Sequence, residues 1–170
     1  MISRPVALIG PMGAGKTSIG KKAARRLGVP FADTDKLVVA RHGAVADLFE
    51  RHGEEHFREL ERAVVAEALT GEGVVSLGGG AVLHPATREL LAAVPVVLLT
   101  VTAEAVAPRL GGTARPLLAA EGIVAWRRIA EARAPLYREL ADLVLDTSHR
   151  PVSGVVDDLV TWIDRRRTAS

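Results

Sequence analysis

The sequence contains no cysteine, which excludes disulfide bonds, thiolate metal sites and a cysteine nucleophile. No uninterrupted apolar run is long enough to cross a bilayer, and the N-terminal residues lack the long apolar stretch of a signal peptide. A strong excess of one charge is also missing, because 22 basic residues face 20 acidic ones and leave a net charge of +2. A massed basic surface for nucleic acid is therefore not indicated. We expect a cytoplasmic protein that binds neither membranes nor nucleic acid.

The composition supplies enough apolar residues for a packed core. The chain has 170 residues, 48% of them apolar, and the apolar residues are spread along its whole length. This length is within the usual size of one domain, and no linker rich in proline, glycine or serine divides it. We predict a single domain over residues 1–170, acting as a monomer.

Short apolar runs alternate with helical patterns along the chain. This alternation predicts a parallel sheet with helices on both faces. The segment Gly111 to Gly122 has no clear periodicity, and we expect a mobile flap there. The strand candidates are Val6–Ile9, Phe31–Asp33, Val74–Leu77, Val96–Val101 and Leu143–Leu145. The helix candidates are Lys16–Leu27, Glu54–Leu69, Ala103–Leu110, Ile123–Leu140 and Val155–Arg166.

The strongest motif lies between the first predicted strand and the first predicted helix. Gly10-Pro11-Met12-Gly13-Ala14-Gly15-Lys16-Thr17 fits the P-loop pattern G-x-x-x-x-G-K-[ST]. Backbone N–H groups and the helix dipole bind nucleotide phosphates in such a loop. We expect Lys16 to reach the β- and γ-phosphates and the Thr17 hydroxyl to ligate Mg²⁺. The predicted ATP-binding residues of this segment are Gly13, Ala14, Gly15, Lys16, Thr17 and Ser18. The motif alone does not distinguish a kinase from an ATPase, a GTPase or a switch.

Two carboxylates follow the second predicted strand, in Asp33-Thr34-Asp35. Ligands of doubly wound sheets bind at this carboxyl edge. Because residues two apart on an extended segment point the same way, one carboxylate is expected to face the water shell of Mg²⁺ and the other a substrate hydroxyl. The alternative is that one of them caps the next helix, with Asp35 the better placed.

Two arginines and a glycine triplet suggest a site for an acid. Arg58 lies one turn before Glu61, which is expected to hold its side chain, although a surface salt bridge is the alternative. We expect Pro135 to interrupt its helix and to turn Arg133 toward a cleft. Two converging arginines favour a carboxylate ligand. Gly78-Gly79-Gly80, after the third strand, exposes bare backbone to a ligand unless it is only a flexible loop.

In this order the motifs resemble those of the shikimate kinase family. The match runs through nearly the entire chain, and several motifs in register make it specific. Thr17-Ser18 reverses the family's commoner serine–threonine order, which preserves a hydroxyl for magnesium. The matching segments are Gly10 to Thr17, Asp33-Thr34-Asp35, Phe57-Arg58 with Glu61, Gly78-Gly79-Gly80, Arg115-Pro116-Leu117-Leu118, and Arg133 through Tyr137.

The resemblance implies an α/β P-loop kinase fold of the nucleoside-monophosphate-kinase type. Its features are a five-stranded parallel sheet, helices on both faces and a mobile lid over residues 111–122. The implied reaction is the ATP- and Mg²⁺-dependent phosphorylation of the 3-hydroxyl of shikimate, a step in the biosynthesis of aromatic amino acids.

The resemblance also implies residue roles. Lys16, Asp35 and Arg115 are the implied catalytic residues: Asp35 bonds the ring hydroxyls and assists deprotonation, and Arg115 reaches the ATP phosphates from the lid. Asp33 contacts magnesium through water. The implied shikimate-binding residues are Asp35, Arg58, Gly78, Gly79, Gly80 and Arg133, and the remaining implied ATP contacts are Arg109 and Arg150, beside the adenine.

Other functions stay open on the residues alone. A gluconate-type kinase would also bind a hydroxylated acid. A nucleotide kinase is disfavoured, because Thr17 stands where adenylate kinases place glycine. A nucleotide-binding switch would leave Arg58, Arg133 and the glycine triplet unexplained.

Overall fold

Strands and helices alternate along the chain. A computed structural model describes residues 4–110 and 122–169. The strands are β1 (Val6–Ile9), β2 (Phe31–Asp33), β3 (Val74–Ser76), β4 (Val96–Thr100) and β5 (Leu143–Asp146). The helices are α1 (Lys16–Leu27), α2 (Thr34–His42), α3 (Val45–Ala68), α4 (Pro85–Leu91), α5 (Ala103–Val106), α6 (Gly122–Leu140) and α7 (Val152–Thr168), with short 3₁₀ turns at Ala81–Leu83 and Ala107–Arg109.

The strands form one parallel sheet in the order β2-β3-β1-β4-β5. Strand β1 is central, with Leu8 in register with Ser76 on one side and Val97 on the other. Because all strands point the same way, the carboxyl ends of β1, β3 and β2 lie side by side. The loops after these three strands therefore meet at one edge of the sheet.

The core lies on both faces of this sheet. Successive side chains of a strand point to opposite faces, so Val6 and Leu8 pack with α1 and α7 while Ala7 and Ile9 pack on the other face with Val65 and Tyr137. Helices cover both faces, as the sequence predicts. A third cluster, which we call the α2–α3 cluster, is formed by Val38, Leu48, Phe57 and Val64.

The predicted strands and helices are largely confirmed. All five strands are present, β1 and β2 with the predicted bounds, and α1 has the predicted bounds as well. Two helices were missed, α2 and α4, and α3 begins nine residues before the predicted start at Glu54. Gly53, with a φ of 81°, kinks α3 immediately before Glu54, so the prediction found only the part after the kink.

One prediction about α6 is wrong. Pro135 does not interrupt the helix, which runs from Gly122 to Leu140. Proline lacks the N–H that would bond to the preceding turn, but the helix continues because its apolar face is packed into the core on both sides of Pro135. Within residues 4–110 and 122–169, none of the helices combines the length and the apolar character that crossing a bilayer requires.

Candidate active site

The P-loop connects β1 to α1, as predicted. Gly15 caps α1 in the left-handed region, with a φ of 93°, which glycine adopts without strain. A Cβ at Gly13 would lie 2.5 Å from Cγ2 of Val106, so only glycine fits there. The Nζ of Lys16, a residue only 9% exposed, donates to Gly10 O over 2.7 Å and to Pro11 O over 3.0 Å. The Lys16 side chain thus folds back over the loop in which it is expected to bind phosphate.

The first carboxylate after β2 joins the P-loop to α2. The Thr17 hydroxyl donates to Oδ2 of Asp33 over 2.7 Å. The other oxygen, Oδ1, accepts from the backbone N–H of Lys36 over 3.2 Å and caps α2. Asp33 is therefore the helix cap, whereas Asp35 lies in the first turn of α2. The expectation that both carboxylates share an extended segment is wrong, because the helix begins at Thr34.

One cavity of about 580 Å³ extends from the P-loop to the glycine triplet. It brings together most of the predicted nucleotide, metal and acid residues. Its lining residues are Met12, Gly13, Gly15, Lys16, Thr17, Ser18, Asp33, Asp35, Lys36, Val45, Phe49, Phe57, Arg58, Glu61, Ser76, Leu77, Gly79 and Gly80.

Arg58 lines the cavity next to Gly80. Its Nη1 donates to Oε1 of Glu61 over 2.8 Å, and the two side chains are 11% and 3% exposed, so the predicted pair is not a surface salt bridge. The Nε of Arg58 is buried and has no hydrogen-bond partner among the described residues. A buried N–H without an acceptor is costly. The guanidinium is thus held by Glu61 through Nη1, and its Nη2 lies 3.5 Å from Oε1 of Glu54.

The glycine triplet is a packed part of the site and not a loose loop. All three glycines are buried. A Cβ at Gly78 would lie 2.9 Å from Oε2 of Glu61, and a Cβ at Gly80 would lie 2.5 Å from Cζ of Arg58. Side chains at these positions would collide with the acidic and basic groups of the pocket. The backbone itself therefore forms this wall.

Arg133 approaches the triplet from α6. The residue is 8% exposed, and its Nη1 lies 3.7 Å from the position that a Cβ on Gly79 would take. Arg58 and Arg133 thus approach neighbouring glycines, and their convergence on one bound carboxylate stays a prediction. Arg133 and Gly78 are not among the residues that line the cavity.

The charges of this pocket act on Glu61. Burial raises the pKa of the Glu61 carboxyl above its ordinary value, and the nearby charge of Asp35 raises it further. The guanidinium groups of Arg58 and Arg133 oppose this rise. The buried Glu61 carboxyl therefore lies between the charges of two arginines and of Asp35.

Comparisons with known proteins identify the family of this chain. The sequence profile of the shikimate kinase family matches residues 12–164. A shikimate kinase from Thermobifida fusca (strain YX) is 49% identical over 156 residues, which cover 89% of this chain and 91% of that protein. The chain belongs to the shikimate kinase family.

Solved structures extend the likeness to the fold. The shikimate kinase from Acinetobacter baumannii in complex with shikimate is 33% identical, with a TM-score of 0.90 over 96% of this chain and 94% of that chain. A gluconokinase from Sinorhizobium meliloti 1021 has a TM-score of 0.64 at 19% identity over 96% of this chain and 93% of that chain, which shows the fold alone. The P-loop fold of the nucleoside-monophosphate-kinase type is thereby confirmed.

Membership of the shikimate kinase family makes the protein an enzyme. Shikimate kinases are ATP-dependent kinases, so this chain is a transferase of a phosphoryl group. Such transfer generally needs a divalent metal ion, which bridges phosphate oxygens and neutralises the charge that develops on them.

Three arginines that were predicted to contact ATP do not line the cavity or lie outside the described residues. Arg109 donates to Gly13 O over 3.0 Å and to Thr147 O over 2.9 Å, which places it beside the P-loop. Arg150 is paired with Asp158 at 2.8 Å on an exposed edge. Arg115 and residues 111–121 of the predicted lid lie outside the described residues, and Gly122 is the first residue of α6.

Several lining residues were missed from the sequence. Val45, Phe49 and Phe57 form an apolar wall, with the Phe49 and Phe57 rings 4.9 Å apart and the Arg58 guanidinium 5.1 Å from the Phe57 ring centre. Apolar residues at helical spacing look the same whether they face a core or a ligand. Lys36 also lines the cavity, and only the position of α2 reveals this.

Proposed function

We propose that this enzyme transfers the γ-phosphoryl group of ATP to the 3-hydroxyl of shikimate. The observation that carries the proposal is the single cavity that joins the P-loop to a buried arginine. Lys16 and Thr17 line this cavity and are poised for phosphates, and Arg58 lines it as a cation for the acid. The solved relative whose structure contains shikimate supports this choice of acid.

The acid site is built for a carboxylate beside a ring with hydroxyls. Arg58 supplies charge-assisted donors for the carboxylate, and Gly79 and Gly80 line the cavity and leave room for the ring against bare backbone. The roles of Arg133 and Gly78 in binding the acid come from the family resemblance. Asp35 lines the same cavity and accepts from a ring hydroxyl. Phosphoryl transfer needs alignment and charge neutralisation more than a strong base, so Asp35 chiefly orients the attacking oxygen.

The nucleotide site uses the P-loop residues Gly13 to Ser18. Lys16 exchanges its bonds to Gly10 O and Pro11 O for phosphate oxygens. We assign Arg115 to the stabilisation of charge on the phosphates, and Arg109 and Arg150 to the adenine side. These three assignments come from the family resemblance.

The oxygen atoms next to Lys16 are suitable ligands for magnesium. Thr17 and Asp33 offer a hydroxyl oxygen and a carboxylate oxygen 2.7 Å apart, and hard oxygen ligands are those that Mg²⁺ prefers. Thr17 would hold the ion directly and Asp33 through water. When bound with ATP, Mg²⁺ neutralises the phosphate charge. We further propose one domain over residues 1–170 that acts as a monomer in the cytoplasm without nucleic-acid or membrane partners.

An ADP-release assay with a panel of acceptors tests the proposal. Purified protein is given ATP and Mg²⁺ with shikimate, gluconate or AMP, and Lys16→Met provides the background of contaminating ATPases. We expect stimulation by shikimate, with phosphate on the 3-hydroxyl by ³¹P and ¹H NMR. Stimulation by gluconate instead would change the assigned acid. ADP release that no acceptor stimulates would favour a nucleotide-binding switch.

A further inference from the structure

One face of α6 reaches both substrate loops. Trp126, Arg133 and Tyr137 are buried residues of α6, spaced seven and four residues apart. Spacings of four, seven and eleven place side chains on the same side of a helix. Trp126 contacts the P-loop, and Arg133 and Tyr137 contact the glycine triplet. A single rigid element therefore touches the nucleotide end and the acid end of the cavity.

Trp126 fixes the orientation of a P-loop peptide. Its indole Nε1 donates to Met12 O over 2.8 Å. In a trans peptide the C=O and the N–H point in opposite directions. Because Met12 O is turned toward Trp126, the N–H of Gly13 in the same peptide is turned away from α6. Met12 and Gly13 both line the cavity, so this N–H is presented to a phosphate.

Tyr137 does the same for the glycine triplet. Its hydroxyl donates to Gly79 O, and the N–H of Gly80 in that peptide points the opposite way. Gly79 and Gly80 both line the cavity beside Arg58. The same hydroxyl also forms a hydrogen bond with the side chain of Arg133, and burial raises the pKa of Tyr137 while Arg133 opposes that rise.

Neither of the two presented N–H groups is used within the described chain. Within residues 4–110 and 122–169, the backbone hydrogen bonds of the loops and turns include none that is donated by the N–H of Gly13 or Gly80. Both loops thus hold a carbonyl on one side and keep a donor for a ligand on the other. The two carbonyls take their donors from the same helix.

We infer that Trp126 and Tyr137 are positioning residues, each serving one substrate: Trp126 orients the P-loop for ATP, and Tyr137 orients the glycine triplet for the acid. The inference for Tyr137 rests on the proposed function, whereas that for Trp126 requires only nucleotide binding. Ring burial alone does not account for either role, because the N–H of Trp126 and the hydroxyl of Tyr137 each end on a loop carbonyl.

Trp126→Phe and Tyr137→Phe test this, since each keeps an aromatic ring. The first removes the hydrogen bond to Met12 O, and the second removes those to Gly79 O and to Arg133. We expect Trp126→Phe to raise the KM for ATP about fivefold and to change the KM for the acid less than about twofold. Tyr137→Phe is expected to raise the KM for the acid by a similar factor and the KM for ATP by a smaller one, because Gly79 also lies against Gly10 and Met12 of the P-loop. If the two residues only support the structure, each variant should raise the KM for both substrates equally or for neither. Either result would overturn the inference.

The controls separate this inference from the proposed function. Trp162→Phe changes the other tryptophan, on α7, and Thr168→Val removes an exposed hydroxyl that bonds to its own helix. Neither is expected to shift a KM. Direct ADP binding by calorimetry tests Trp126 whether or not shikimate is the acceptor. A wild-type protein without shikimate kinase activity would count against the proposed function, whereas unchanged ADP affinity in Trp126→Phe would count against the positioning role.

Fluorescence gives a second readout that needs no substitution at the site. In Trp162→Phe the remaining tryptophan is Trp126. Because its indole bonds to Met12 O, its emission is expected to shift when Mg²⁺·ADP is added and to stay constant with shikimate alone. Trp126 emission that stays constant when Mg²⁺·ADP is added would contradict the proposed role of Trp126 in orienting the P-loop.

Discussion

Arg58 and Glu61 form an ion pair inside the protein, with Nη1 and Oε1 2.8 Å apart and the carboxylate side chain only 3% exposed. The pair holds one edge of the guanidinium in place. The planar fork of arginine allows its other nitrogens to bind a second partner at the same time, which a lysine ammonium does less well. The properties of the acid site therefore depend on this geometry as well as on charge.

Arg58→Lys is expected to raise the KM for shikimate by roughly ten- to a hundredfold, the effect of losing a charge-assisted bond. The turnover number and the KM for ATP should change less, because the substitution leaves the P-loop residues that bind the nucleotide unaltered. Steady-state kinetics with each substrate varied in turn measures this. Arg41→Lys, which alters an exposed pair with Glu67, is the matched control. An unchanged KM for shikimate would exclude Arg58 as the carboxylate clamp.

Gly80→Ala is expected to weaken shikimate binding strongly while the protein still folds. The φ of Gly80 is −97°, so alanine fits the backbone, but its Cβ would lie 2.5 Å from Cζ of Arg58 and would displace the guanidinium. Calorimetric titration with shikimate measures the loss. Gly71→Ala, where a Cβ would lie 3.6 Å from its nearest neighbour, is the control. Equal affinities in the two variants would mean that Arg58 adapts without cost.

Thr17→Val should raise the Mg²⁺ concentration needed for half-maximal activity, because the hydroxyl that donates to Asp33 and would bind the ion is lost. Thr17→Ser keeps a hydroxyl and should remain close to the wild type. Magnesium titrations of ADP release at saturating ATP compare the three proteins. A serine variant as impaired as the valine variant would assign the effect to the methyl group and not to the metal.

Glu61→Gln is expected to change the pH dependence of stability. Burial raises the pKa of Glu61 in the folded state above the ordinary 4.5, so the folded protein binds this proton more tightly than the unfolded chain. The contribution to stability is fully present below about 4.5 and is lost as pH rises through the raised pKa. The free energy of unfolding of the wild type minus that of Glu61→Gln should therefore fall between acid and neutral pH.

Urea unfolding at several pH values measures this difference. Glu67→Gln is a control of opposite sign, because Arg41 lowers the pKa of Glu67 and its contribution is lost as pH falls. A wild type that gains stability over Glu61→Gln as pH rises would show that Arg58 outweighs burial in setting the pKa of Glu61.

The strands and the P-loop were predictable because their signals are local. An apolar run followed by a glycine-rich loop and an amphipathic helix has few other interpretations, and β1, the loop and α1 lie where that pattern places them. Helix α2 was missed because its nine residues carry little amphipathic pattern and because Asp33-Thr34-Asp35 was interpreted as extended. Helix α4 is only seven residues long, although Pro85 at its start was an available signal.

The contacts that orient the site could not be derived from the sequence. Trp126 reaches Met12 across 114 residues, and Tyr137 reaches Gly79 across 58, so no spacing rule connects them. The buried state of Arg58 and Glu61 likewise follows from the packing of α3 against the glycine triplet. Residue types predicted the chemistry of the pocket, and tertiary structure decided which atoms are available to a ligand.

The α2–α3 cluster contains four buried residues and stands apart from the two larger clusters that flank the sheet. It lies beside β2, an edge strand of three residues. Segments with few buried apolar contacts open at a lower free energy than the core. Amide protons of α2 and the first part of α3 should therefore exchange with deuterated water faster than those of β1 and α1, by hydrogen-exchange mass spectrometry. On warming, the enzyme would then lose its acceptor site before its nucleotide site, and would still retain ADP when it no longer binds the acid.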